Sequence, residues 1–231
     1  MMYNAVLLIL FASLISSPVP EVKVVGALRN IMMDSDLSAH LNLDTLDKTR
    51  LYGLGPIAGL KGELMIIDGK VYSTAKDGDA LSSQENKVSL ASMLVYSRVH
   101  HWKAITLTTP VNDYKGLEEL VKQMAEKNGY DVEKPFAFRV KATAQKATYH
   151  VIDWKEKVEH TSDNHKQFAF TGTFTEKPVE LLGFYSKHHK GVFTHHTTNM
   201  HIHVFERSSG TVGHLDEVQV DGALTLYLPE Q

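Results

Sequence analysis

The chain has 231 residues, 43% hydrophobic and 22% charged, with a net charge of −3. Such a length is one large domain or two small ones, with enough apolar material for a sizeable core. The balance of charge gives no basis for nucleic acid or an anionic membrane as partner, and the absence of cysteine excludes disulfides and thiolate ligands, leaving histidine and carboxylate for any metal.

Residues 5–15 form a largely apolar run followed by Ser16-Ser17-Pro18-Val19-Pro20. The run is too short to span a bilayer and has the length of a signal-peptide core, although Met1-Met2-Tyr3-Asn4 lacks the usual positive charge. Residues 1–20 are read as an export signal, which implies a secreted or periplasmic protein without stable membrane insertion once the signal is removed. The alternative is a buried N-terminal strand and a cytoplasmic protein.

Residues 22–25 read as a short strand, 26–33 as a turn or two of helix, and 44–49 as a second short helix. The apolar passage 51–60 carries Gly53, Gly55 and Gly59 but lacks the Gly-Lys-Ser/Thr ending of a phosphate loop. In residues 62–72, Asp68-Gly69 between apolar runs marks a two-residue hairpin turn. Glu63 opens the first strand of that hairpin, either as a solvent-facing end residue or as a functional carboxylate. Residues 76–85 read as a polar loop. Leu117, Leu120, Val121 and Met124 then recur at helical spacing, with Asp113 as cap and Asn128-Gly129 as terminator.

From Pro135 onward the composition is that of strands, over 136–144, 148–154, 168–174, 179–185, 200–205, 212–220 and 224–228. Alternation places Arg139 on a face with Ala137 and Lys141, away from Phe136, Phe138 and Val140, and a solvated face is the plain reading of that arginine. The histidine-rich Thr194-His195-His196-Thr197-Thr198-Asn199 abuts His201, as a surface loop or as a lining for a site.

The most informative stretch is 201–214. His201 and His203 alternate with Ile202 and Val204, so both imidazoles project to one face of a strand. A two-residue turn at Ser208-Ser209 would place Glu206 opposite Thr211 and His203 opposite His214. Three imidazoles on one patch suit a zinc-type site with an open position, whereas a one-residue slip would send His214 to the other face.

With Gly62-Glu63-Leu64, the helix ending near Asn128, Phe138-Arg139, and His201-x-His203 followed by His214 in this order, the chain resembles the acetolactate decarboxylases from about residue 26 to 229. The resemblance implies a mixed α+β fold of two β-rich lobes, with an N-terminal lobe over about 22–130 and a metal-binding lobe over about 131–231. It implies a zinc ion on His201, His203 and His214, with Glu63 and Arg139 completing the site, and a homodimer. The implied reaction turns 2-acetolactate, a 2-hydroxy-3-oxo acid, into acetoin and carbon dioxide without an organic cofactor. Zinc would stabilise the enediolate left by decarboxylation, Arg139 would add fixed positive charge, and Glu63 would deliver the proton.

Three features depart from the family pattern. Pro56 stands where members carry threonine, Thr198-Asn199-Met200 replaces Val-Pro-Gly-Tyr, and a tail glutamate has no counterpart before Gln231. Competing readings are a zinc-dependent ester hydrolase with Glu63 as base, a cupin-like metal protein, and a non-catalytic metal-binding protein on the same fold. The cupin reading is weakened because Glu206 follows the histidines too closely and faces away from them.

Overall fold

A computed structural model describes residues 19–155, 158, 164 and 167–231. The export signal expected over residues 1–20 falls, up to residue 18, outside the described residues. Among the described residues no helix is long and apolar enough to cross a membrane.

Two six-stranded antiparallel sheets make up the α+β fold. The first takes β1 (Val22–Val25), β3 (Leu51–Pro56), β4 (Glu63–Ile67), β5 (Lys70–Asp77), β6 (Ala80–Glu85) and β8 (Leu94–Arg98), in the order β1-β8-β3-β4-β5-β6. The β4–β5 turn falls at Asp68-Gly69 with positive φ at both residues, the backbone that Asp-Gly favours. The stretch expected as a polar loop after residue 76 is instead the end of β5, a turn, and β6. Its polarity reflects an exposed edge strand, whose side chains have little core to meet. A short pair, β2 (Leu41–Asn42) with β7 (Leu90–Ala91), lies beside this sheet.

The second sheet contains β9 (Trp102–Leu107), β10 (Phe136–Ile152), β11 (Ala169–Tyr185), β12 (Met200–Glu206), β13 (Thr211–Gln219) and β14 (Leu224–Pro229). Its order is β11-β12-β13-β10-β14-β9, and β11 also pairs with β10, so β10, β13, β12 and β11 close on themselves. The sequence pattern suggested four strands over 136–185, and the chain instead forms two 17-residue strands paired along their length. The polar interruption at Gln145-Lys146 is solvated strand, not a turn. Pro178 fits because β11 has a neighbour on one side only at that point.

α2 (Tyr114–Lys127) begins as its cap chemistry dictates, with the Asp113 carboxylate accepting from the Gly116 N–H at 2.7 Å. Its apolar stripe packs on the second sheet, in one cluster with Phe136, Phe138 and Val204. β9 pairs with β14. The sheet boundary therefore lies near residue 100, and β9 and α2, assigned by sequence to the N-terminal lobe, belong with the second sheet. A second apolar cluster, including Tyr72, Met65, Phe205 and Leu182, fills the space between the sheets.

Candidate metal centre and active site

The site is built on the β12–β13 hairpin. Ser208-Ser209 turns the chain, Glu206 pairs with Thr211, and His203 falls opposite His214. The turn is held by the Glu206 carboxylate, which accepts from the Ser208 N–H at 2.9 Å, the Ser208 hydroxyl at 2.7 Å and the Ser209 N–H at 2.9 Å. Ile202 and Val204 enter the core beneath α2, so His201 and His203 face the first sheet. Their ring centres are 5.1 Å apart, and lie 5.0 and 5.7 Å from that of His214.

These ring spacings are on the scale of histidines that share an ion, although the ligand atoms that meet within 4.8 Å belong to His150, His214 and Asp216. With nitrogen–zinc bonds of about 2.0–2.1 Å in tetrahedral geometry, ligand ring centres sit roughly 5 Å apart. The donor chemistry agrees with the spacing. His201 Nδ1 is buried without a partner among the described residues, whereas His203 Nε2 and His214 Nδ1, equally buried, face Glu63 Oε2 at 3.4 Å and Asp216 Oδ1 at 3.5 Å. His203 donates from Nδ1 to the Leu64 carbonyl at 2.9 Å, which fixes the tautomer and leaves Nε2 with its lone pair. Burial, reinforced by the neighbouring histidines, holds His201 and His203 well below the usual imidazole range, and burial brings His214 down to about 4. At neutral pH all three are uncharged and able to bind a metal.

A second donor set overlaps the first. Ligand atoms of His150, His214 and Asp216 lie within 4.8 Å of one another. Here, however, the carboxylate already accepts from His150 Nδ1 at 2.8 and 3.0 Å, so that pair is satisfied internally. The unpartnered nitrogen of His201 favours the hairpin set.

Glu63 faces this group from the first sheet. It begins β4 after Gly62, whose φ is +138° and where a Cβ would stand 2.3 Å from the Thr74 carbonyl oxygen. Glycine is required at that position. Glu63 is 4% exposed, and its Oε2 lies 3.4 Å from His203 Nε2. Burial pushes its carboxyl up to about 8, against the opposing charge of His150 and a backbone hydrogen bond from Ile152. Neither Glu63 nor His203 is then charged at pH 7, so their contact is not an ion pair. The sheets are tied at this point by the Val212 N–H, which donates to Thr74 Oγ1 at 2.8 Å.

Arg139 stands elsewhere. Its row in the sheet reads Arg139, Leu182, His203, so it is two strands, or about 10 Å, from the nearest of the three histidines. Its guanidinium pairs with Glu180 through Nε at 2.9 Å and through Nη2, and lies 5.2–5.4 Å from the ring centres of Tyr52, Trp102 and Tyr227. The group that β10 does bring to the site is His150, eleven residues on, directly opposite His214 and stacked on it at 4.6 Å. Thr148 pairs with Glu217 and Tyr149 with Leu215, so Asp216 is the extra residue of a β-bulge and aims its carboxylate at His150. Burial alone would lower the His150 pKa, but the Asp216 hydrogen bond and charge, with Glu63, raise it.

A cavity of 360 Å3 opens onto Glu63, His150, His201 and His214, with His195 and His196 on its wall. Its mouth is roofed by α1 (Leu28–Asp34), which contributes Arg29. Sequence reasoning missed His150 and Asp216, and the only available signal was the position of His150 in a strand that runs on past its polar middle.

A family model described as alpha-acetolactate decarboxylase matches residues 25–228. The chain belongs to that family. A search of curated proteins finds no match. Among solved structures, alpha-acetolactate decarboxylase from Bacillus subtilis strain 168 superposes with a TM-score of 0.76 at 15% identity, covering 91% of this chain and 85% of the other. Acetolactate decarboxylase from Bacillus subtilis subspecies spizizenii gives 0.75 at 14% identity, covering 91% and 86%. A Staphylococcus aureus protein of unknown function similar to alpha-acetolactate decarboxylase gives 0.72 at 14%, again covering 91% and 86%. At such identities the structures establish the acetolactate decarboxylase fold. Within it, Pro56, one departure from the family pattern, pairs with Glu63 in the β3–β4 ladder and lines the same cavity.

Proposed function

We propose that the chain converts 2-acetolactate to acetoin and carbon dioxide, with a zinc ion held by His201, His203 and His214. The observation that carries this reading is the cluster of three buried imidazoles with ring centres 5.0–5.7 Å apart, His203 beside Glu63, and His201, His214 and Glu63 lining one cavity. Zinc bound there would supply Lewis acidity for the negative charge that develops as carbon dioxide leaves.

The residues do the rest. When the bond to the carboxylate carbon breaks, its electron pair passes to the neighbouring ketone and leaves an enediolate. Glu63, whose carboxyl burial raises, gives its proton to the carbon that lost carbon dioxide and is reprotonated from solvent, so one proton is consumed per turnover. The Leu64 carbonyl keeps His203 in the tautomer that leaves Nε2 as donor. His150, oriented by Asp216, takes the place in the cavity that the resemblance gave to Arg139. Arg139 enters as a residue that holds β10 to β11 through Glu180. The homodimer and the exported location belong to the same proposal, the first resting on the resemblance and the second on residues 5–15. Light scattering and the mature N-terminus test them.

The reaction itself is tested by following acetoin release from racemic 2-acetolactate, with the full chain chelated and then restored with zinc. Acetoin that depends on zinc supports the reading. Hydrolysis of simple esters without acetoin would replace it with the hydrolase reading.

A further inference from the structure

The cavity at the histidines is larger and more apolar than 2-acetolactate requires. At about 30 Å3 of liquid volume per water-sized group, the nine non-hydrogen atoms of 2-acetolactate fill about three quarters of the 360 Å3. The wall away from Glu63 and the histidines is made by Leu28, Ile31, Met32 and Met33 of α1, with Pro56 and Leu60 beside them. Met32 and Met33 are 38% and 82% exposed, and make up two of the three exposed large hydrophobic side chains among the described residues. Exposed apolar side chains gathered on the rim of a cavity mark a surface that awaits an apolar ligand, and unbranched methionine adapts to one readily.

This wall is built into the fold. The Leu28 N–H donates to the Val192 carbonyl at 2.9 Å and the Arg29 N–H to the Gly191 carbonyl at 2.8 Å, which pins α1 to the loop that carries Thr194, His195 and His196. The polar end of the cavity and its apolar roof are therefore fixed relative to each other, with open space between them.

We propose that the preferred substrate of this chain is a 2-hydroxy-3-oxo acid bearing a straight alkyl chain of roughly four carbons, its polar head at Glu63 and the histidines and its chain along Ile31, Met32 and Met33. This rests on the decarboxylase reading for the head group. The alkyl length follows from the unfilled quarter of the cavity, room for about three groups at about 30 Å3 each beyond the methyl that 2-acetolactate already carries.

Two ladders test it on the full, zinc-loaded chain. The first is kcat/KM for 2-alkyl-2-hydroxy-3-oxobutanoates from methyl to octyl. The second is the calorimetric Kd of unreactive 2-hydroxyalkanoates of the same lengths. Both should improve about fourfold per methylene until roughly four carbons and then level off. A double variant, Met32→Lys with Met33→Lys, should flatten the ladders. Turnover of the methyl acid with flat ladders overturns the proposal and leaves the decarboxylase reading standing. A rising Kd ladder without turnover of any member supports the alkyl site and sinks the decarboxylase reading instead.

Discussion

Replacing Glu206 by glutamine tests how the metal centre is assembled, because this carboxylate ties the turn that sets His203 opposite His214. Glu206 is 3% exposed. Burial would raise its pKa, but the hydroxyl and N–H of Ser208 and those of Ser209 outweigh it and hold the group at about 2. A folded value of about 2 against 4.5 in the unfolded chain corresponds to about 3 kcal/mol of stability at neutral pH. Hydrogen bonds to a charged group, worth about 1.5–3 kcal/mol, give the same scale. The sign follows from the depressed pKa. The contribution is complete above pH 4.5 and disappears as pH falls towards 2. Urea unfolding of the zinc-free wild type and Glu206→Gln should therefore differ by about 2–3 kcal/mol at pH 7. The difference should shrink steadily between pH 4.5 and about 2. A difference independent of pH, or none at pH 7, would refute the turn as the anchor of the register.

Three further outcomes follow from the site. Glu63→Gln should lower kcat by about 10²–10⁴ while zinc stays bound, and unchanged turnover would remove the proton role. Asp216→Asn should cost about 10–100-fold in turnover with zinc retained, since His150 loses its orienting partner; full activity would make the pair structural. Arg139→Met should leave Glu180 buried and short of its best partner, costing about 2–4 kcal/mol in urea unfolding with turnover per folded molecule unchanged. A loss of kcat at full stability would return Arg139 to the chemistry.

The sequence showed some of this site clearly and hid the rest for physical reasons. The hairpin register was legible because Ser208-Ser209 is turn chemistry and the strand period is two, so one assumption about the loop placed every pair. The strand that Glu63 opens was visible through Asp68-Gly69, and α2 through Asp113 and Asn128-Gly129, since caps and turns act over a few residues, whereas a place for Glu63 in a site came from the family resemblance. His150 was not visible. It meets His214 only because β10 runs for 17 residues, first beside β14 and then beside β13. Arg139 drew attention as a charged residue in an apolar strand, and that signal reported its buried pairing with Glu180. Asp216 reaches His150 at a bulge, which no local pattern announces. Strand partners across long separations are set by tertiary packing, so the sheet division near residue 100 was also out of reach.

The most direct test of the metal centre is a zinc titration of the zinc-free protein, comparing wild type with single variants of both overlapping donor sets. One zinc per chain should bind to the wild type. Affinity should collapse in His201→Ala, His203→Ala and His214→Ala, with His150→Ala and Asp216→Asn keeping stoichiometric zinc. Zinc lost from His150→Ala and Asp216→Asn but kept by His201→Ala and His203→Ala would contradict the account, and would move the ion to the other set.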